Sequence, residues 1–254
     1  MGYLNKEVNR FVGSVIHSYN LLRNGDRILV AVSGGADSLL ALWFLDRWLK
    51  KAPISYQLVP VHLDMGFEEK TSVPVSKFLK KQGFPFYMEE TDFGPYAHSS
   101  ANRNKSICFI CSMLRRKRLF ELASALSCNK IAMGHNQDDL IETFFLNLLY
   151  VGELSTMIPR QEMFDGLITI IRPLAYVEKK KIEKLAKELC LPVIKNPCPS
   201  AQKGRRQEIR NMLKGLFRTN RKIRGNIMRA MSHARTDYLL KDMKRPTIPS
   251  SHPK

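Results

Sequence analysis

Acidic residues are scarce in this chain. Twenty-three Asp and Glu stand against forty-one Lys and Arg, a formal net charge of +18. That imbalance excludes an acidic, solvating role and favours a polyanionic partner. Long apolar runs are missing too: no stretch of eighteen apolar residues occurs, which excludes a membrane-spanning helix. Met1-Gly2-Tyr3-Leu4-Asn5-Lys6-Glu7 has neither the apolar core of a signal peptide nor the Ser/Thr of a myristoylation site. A cytoplasmic location is therefore expected. Cysteines number five, an odd count that does not suit a disulfide framework. Thiols in such a chain read as metal ligands or catalytic groups. Cys128 and Cys190 lie among apolar residues at helix ends and read as small buried hydrophobes. No internal repeat is present.

What remains is a chain of 254 residues, 44% apolar, enough for one core. Short apolar runs alternate with helical patterns. Strands are expected at 27–32, 57–63, 84–91, 130–134 and 167–172. Helices are expected at 38–51, 73–82, 112–126, 138–150 and 178–189, the third starting directly after Cys111. The alternation predicts an α/β fold, a doubly wound parallel five-stranded sheet with ligand loops along one edge. An N-terminal helix (1–24), a core domain (25–200), a basic helical extension (201–244) and a flexible tail (245–254) complete the expected organisation.

Ser33-Gly34-Gly35-Ala36-Asp37-Ser38 closes the first strand and opens a helix. Glycines admit backbone amides close to an anion, and the helix N-terminus adds partial positive charge. Ser33 and Ser38 can donate to phosphate. Asp37 does not suit a bare phosphate, so a Mg²⁺ between them is the natural reading. The loop has neither the Gly-Lys-Ser/Thr of a Walker motif nor the Gly-x-Gly-x-x-Gly of dinucleotide folds.

Cys108-Phe109-Ile110-Cys111 supplies two thiols to one point before a helix, whose N-terminus favours thiolates. Arg115 and Arg116 add positive charge. A redox dithiol is the alternative, but it needs no third thiol. Cys198, in Asn196-Pro197-Cys198-Pro199, sits on a stiff loop, and three thiolates leave one coordination position open. A second loop, Gly134-His135-Asn136-Gln137-Asp138-Asp139, falls on the same sheet edge. His135 there also suits a hydrogen-bonded structural role, and Asp138 and Asp139 suit helix-start acids.

Ser-Gly-Gly-x-Asp-Ser after a strand resembles the PP-loop of the ATP-pyrophosphatase superfamily. The segment Cys108 to Phe120, the Gly134–Asp139 loop, Glu142 to Asn147, Met157-Ile158-Pro159 and Ile171 to Val177 resemble the tRNA 2-thiocytidine synthetase (TtcA) family. That resemblance runs from about Val30 to about Leu213. It implies that ATP adenylates the C2 oxygen of a tRNA cytidine and that sulfur then replaces it. Cys108, Cys111 and Cys198 would hold a [4Fe-4S] cluster. The nucleotide would contact Ala31, Val32, Ser33, Gly34, Gly35, Asp37, Ser38, Gly134 and Asp139. Arg115 would lie between cluster and nucleotide, and the Leu63 backbone would border the adenine. Two departures stand out. Ala36 occupies a position where many sulfur-inserting members carry lysine, leaving Arg115 or Arg172 to steady the α-phosphate. Cys198 is followed by proline rather than by Gly-Ser.

Fifteen Lys/Arg and three acids fall between Lys203 and Lys254, so twelve of the eighteen net charges lie in the last fifth of the chain. Arg205, Arg206, Arg210, Lys214 and Arg218 recur near every fourth residue, as one RNA-facing helix surface would require. The expected partners are tRNA and a sulfur donor, either a cysteine desulfurase or free sulfide. No membrane is expected, and a homodimer is compatible with the sequence. The alternatives are a 2-thiouridine synthetase of the TtuA kind and a cluster-dependent sulfur enzyme for a small molecule or free base. The former carries extra Cys/His zinc modules, whereas no cysteine precedes Cys108 or follows Cys198 here.

Overall fold

Arg27-Ile28-Leu29-Val30-Ala31 sends successive side chains to opposite sides, and none of its apolar centre tolerates water. A strand of that kind needs cover on both faces. The computed structural model, which describes residues 2–102, 106–201 and 204–240, supplies it. Strands β1 (Arg27–Ala31), β2 (Gln57–Asp64), β3 (Tyr87–Glu90), β4 (Lys130–Ala132), β5 (Arg160–Met163) and β6 (Ile168–Ile171) form one sheet in the order β3-β2-β1-β4-β6-β5. All neighbours are parallel except β5, which runs antiparallel to β6.

On one face, Ile28 and Val30 pack with α1 (Tyr3–Ser18), α2 (Ala36–Leu49), α3 (Ser72–Lys81) and α7 (Lys179–Glu188) through Val8, Val12, Leu39, Phe44, Leu79 and Leu185. On the other, Leu29, Val61 and Ile131 pack under α5 (Ile107–Ala125) through Leu119, Leu122 and Ala123. Each fully buried Leu, Ile or Phe of this kind contributes roughly 1.5–3 kcal/mol of apolar burial. Short helix α4 (Phe93–His98) precedes α5, and α6 (Gln137–Leu146) continues into a single π turn, Asn147–Val151. Helices α8 (Arg205–Thr219) and α9 (Ile223–Ala230) follow; Ile209 and Leu213 of α8 bury against Ile141 of α6.

The sheet therefore has six strands, not five, and is mixed. The missing strand is Arg160-Gln161-Glu162-Met163, a polar edge strand with no apolar run to mark it. It turns into β6 through Phe164, Asp165 and Gly166, all at positive φ. Helix α5 begins at Ile107, so Cys108 and Cys111 sit within its first turns and not before it. Helix α4 was not expected, because six residues starting Phe93-Gly94-Pro95 carry no helical periodicity. Lys203 and the tail expected at 245–254 lie outside the described residues. Among the described residues, no helix is long and apolar enough to cross a membrane.

In this strand order the chain reverses direction across the sheet between β1 and β4. The loops that follow these two strands meet at that crevice, where open α/β sheets bind ligands.

Candidate active site

The loop after β1 turns sharply at Gly34, whose φ is +85°. A β-carbon there would stand 2.8 Å from Ile194 Cδ1 and 3.2 Å from Val75 Cγ2, so the tight turn and the packing both select glycine. Gly34 O accepts from Ile194 N at 3.0 Å, strapping the loop to the segment that leads to Cys198. Ser38 Oγ is buried, donates to Gly35 O at 2.9 Å and accepts from Ser33 N at 3.1 Å, so it holds the loop closed from inside. Ser33 itself is exposed. Gly35, the N-cap of α2, offers no side chain to the first amides of that helix. An anion can take them.

The loop after β4 docks on this turn. A β-carbon on Gly134 would lie 2.8 Å from both Asp37 C and Ser38 N, so glycine is required for two backbones to touch. Asn136 then acts twice. Its side-chain oxygen accepts from Asp138 N and Asp139 N, capping α6, and its Nδ2 donates to Asp37 Oδ1 at 2.9 Å. Asp139 completes a capping box by accepting from Asn136 N at 3.0 Å. Asp138 accepts from Lys179 N at 2.8 Å, capping α7, and pairs with Arg224 at 2.9 Å. The other oxygen of Asp37 accepts from Lys179 Nζ. Helices α2, α6 and α7 thus start around one carboxylate.

Behind the crevice, Arg172 is buried and donates to the protein from each of its three nitrogens. Nε donates to His135 Nδ1 at 3.2 Å, Nη1 to Ile158 O at 2.5 Å and Nη2 to Gln161 Oε1 at 3.0 Å. It is therefore a brace between His135 and β5, not a cation available to an α-phosphate. Crowding by protein lowers His135 to a pKa of about 3, and the guanidinium groups of Arg172, Arg115, Arg206 and Arg116 add to it. His135 is a neutral imidazole whose Nδ1 accepts, which leaves Nε2–H as a donor. Burial, with Asp37 and Glu142 nearby, raises Asp139 to about 6.

Cys108 and Cys198 both act electrostatically on Cys111. Burial raises the pKa of Cys111, and Cys198 and Cys108 raise it further, while Arg115 opposes them. Cys111 Sγ lies 3.5 Å from Phe93 O of α4, and His98 of α4 lies 3.1 Å from Ser200 Oγ beside Cys198. The unexpected helix α4 therefore holds the pair and the third thiol together. Arg115 acts electrostatically on both Cys111 and His135. Among the described residues, no three Cys, His, Asp or Glu side chains converge on one point as a single metal ion requires. Thiolates on one zinc ion converge at about 2.3 Å from a shared centre. A four-iron cluster takes its thiolates on separate irons and does not need them to share one centre. Cys128 is buried and distant from this group, as expected, but Cys190 is exposed.

Ala31, Val32 and Leu63 lie at the ends of β1 and β2 with the Val32 and Leu63 side chains in the core, so only their backbones can border a ligand. Val32 N already donates to Val61 O. A buried group that the sequence analysis missed sets this edge. His62 bridges Val32 O at 2.7 Å and Thr71 Oγ1 at 3.0 Å. Asp64 accepts from the amides of Gly66, Thr71 and Ser72. Burial raises the Asp64 carboxyl, but those three amides outweigh it and hold the pKa low. A polar pair alternating with apolar residues in a strand, His62 and Asp64, was the available signal.

The five cations of α8 do not share one free face. Arg210 clamps the buried Glu142 of α6 with two hydrogen bonds, 2.7 and 2.9 Å. Arg206 turns to Thr143 and Asp139, and Arg205 stacks 4.6 Å from the Tyr150 ring. Lys214 and Arg218 are exposed. Arg210 is thus corrected from an RNA contact to a tie between α8 and α6.

Comparison with known proteins agrees with this geometry. Residues 4–216 match the PP-loop domain family. The tRNA-cytidine(32) 2-sulfurtransferase of Geobacter sulfurreducens is 37% identical over 237 residues, covering 92% of each chain. That of Geotalea daltonii is 37% identical over 240 residues, covering 93% of this chain and 95% of its own. Among solved structures, the U34-tRNA thiolase of Methanococcus maripaludis with its [4Fe-4S] cluster superposes with a TM-score of 0.75 at 23% identity. The match covers 90% of this chain and 78% of that one.

Proposed function

Because the chain belongs to the PP-loop family, among the tRNA-cytidine 2-sulfurtransferases, we propose that it inserts sulfur at C2 of a tRNA cytidine at the expense of ATP. The observation that carries the proposal is the strap from Gly34 to Ile194, which brings the Cys198 segment to the phosphate loop. Arg115 acts electrostatically on Cys111 and on His135, which supports one crevice for thiols and nucleotide loop. ATP lays its phosphates on the uncapped start of α2, against Ser33, Gly34 and Gly35. Each oxygen of Asp37 keeps a lone pair beyond its present bond, which a Mg²⁺ arriving with ATP takes up. The cytidine C2 oxygen attacks the α-phosphorus and pyrophosphate leaves. A sulfur nucleophile then adds at C2, and AMP departs with the former oxygen. Cys108, Cys111 and Cys198 would hold a [4Fe-4S] cluster, which would supply the sulfur chemistry when bound. Neutral His135 offers Nε2–H to developing negative charge and does not act as a cationic acid. A cysteine desulfurase or free sulfide renews the sulfur, and the location is cytoplasmic.

Nucleoside mass spectrometry of tRNA incubated with anaerobically reconstituted protein, ATP and sulfide tests the reading. We expect 2-thiocytidine, about four irons per chain, and loss of both in Cys198→Ser. Formation of 2-thiouridine would assign the other base. A zinc-only protein that thiolates nothing would overturn the proposal.

A further inference from the structure

The phosphate loop contains no cation. Ser33 to Ser38 holds two serines, two glycines, an alanine and an aspartate. A triphosphate laid on it meets helix-start amides and Asp37, whose carboxylate can face it only through a metal ion and gives it no protein cation. A protein cation for the phosphates has to come from elsewhere in the fold, and Arg115, exposed and acting on Cys111 and His135, stands on the thiol side. Arg172 is buried, and each of its three guanidinium nitrogens already donates, to His135, Ile158 and Gln161. Arg224 is held by Asp138 and Glu178, and Arg210 by Glu142. Lys179 differs from all three. It is the first residue of α7, its amide is fixed by Asp138, and its ammonium contacts Asp37 inside the helix that the loop opens. Its side chain is 38% exposed, and an ammonium has three donors of which Asp37 takes one.

We propose that Lys179 is a phosphate-contacting cation of this nucleotide site, delivered from α7 to a loop that lacks one of its own, with Asp37 as the residue that positions it. This rests on the assignment of the loop to ATP. In the absence of nucleotide, Asp37 and Lys179 neutralise each other. When the phosphates enter, the remaining donors of Lys179 face them, and Asn136, bonded to the other oxygen of Asp37, keeps the carboxylate from following. The arrangement also explains how the chain tolerates Ala36. That side chain is buried in the core beside α2, where a lysine would have to climb out to reach an anion.

Calorimetric titration of the full chain with ATP and, separately, with adenosine tests the proposal. Lys179→Met keeps the stem and removes the charge. It should weaken ATP binding by about tenfold or more, the effect of one charged hydrogen bond, and leave adenosine within about twofold of the parent, while Lys179→Arg retains most ATP affinity. ATP binding by Lys179→Met equal to that of the parent would reduce Lys179 to an ion-pair partner and overturn the inference. So would adenosine binding lost in step with ATP. The Asp37→Asn/Lys179→Met double variant separates a direct contact from the repulsion of a bared Asp37. It should stay weak for ATP, and recovery would count against Lys179. If the parent itself fails to bind ATP, the functional reading falls first and this inference falls with it.

Discussion

His135, in the loop after β4, and Asp139, in the first turn of α6, are pushed in opposite directions by the same crowding, because burial disfavours whichever form is charged. The consequence for stability can be worked out for each. His135 titrates at about 3 when folded against an ordinary 6.5, so the unfolded chain binds the extra proton between these values. Its contribution is present above about 6.5 and is lost progressively as pH falls towards 3. Asp139 titrates at about 6 against 3.8, so the folded chain binds the extra proton in that window. Its contribution is largest at low pH and is lost as pH rises through 6. Between about 4 and 6 the two oppose each other. His135→Gln removes the first and leaves the second. Melting temperatures of parent and variant should therefore converge, or cross in favour of the variant, as pH is lowered from 7 to 4. A difference that stays constant across that range would show that His135 titrates normally.

Helix α8 shows how an element can carry two kinds of arginine. Its buried side, Ile209 and Leu213, fixes it to α6, and Arg210 adds a bidentate bond to Glu142, which is only 4% exposed. Arg210→Met should lower stability by about 1.5–3 kcal/mol, since a buried carboxylate loses its charged hydrogen bonds. The Arg210→Met/Glu142→Leu pair should recover most of it in urea denaturation, because two apolar groups leave nothing unsatisfied. The sequence spacing placed Arg210 correctly on α8 but could not show which way it faced, because the deciding partner lies 68 residues away. The same limit explains the rest of what was and was not legible. The β1–loop–α2 unit, Asn136–Asp139 at the start of α6 and the Cys108/Cys111 pair are local, and their composition announced them. Helix α4, edge strand β5, the Ile194 strap and the Lys179–Asp37 pair depend on contacts across the fold. None leaves a periodic trace, and each was found only in the structure. His62 and Asp64 lie between these cases: polar residues inside a buried strand signal a network, without saying what it holds.

At the scale of the whole molecule, charge is distributed by function and not evenly. Acidic groups concentrate where three helices begin, around Asp37, Asp138 and Asp139, and each is tied to an amide or a cation. Cations gather in the last fifth of the chain, where Arg206, Arg210 and Arg224 are turned inward to that acidic centre. Lys214 and Arg218 are turned to solvent on the far end of α8. This division predicts two different responses to mutation. Phosphate contacts release counterions, so each one lost reduces the slope of log affinity against log salt by roughly 0.7 to 0.9. Lys214→Ala/Arg218→Ala should weaken tRNA binding and flatten its salt dependence by about one to two in slope. The melting temperature should stay near that of the parent, because exposed side chains contribute little to stability. Arg210→Met should do the reverse, lowering the melting temperature while the salt slope of tRNA binding is unchanged. The two variants measured side by side across a salt series decide the matter. If Lys214→Ala/Arg218→Ala binds tRNA with the parental slope, the exposed end of α8 is not where the RNA backbone lies, and the docking surface must be sought among the other cations of the basic extension.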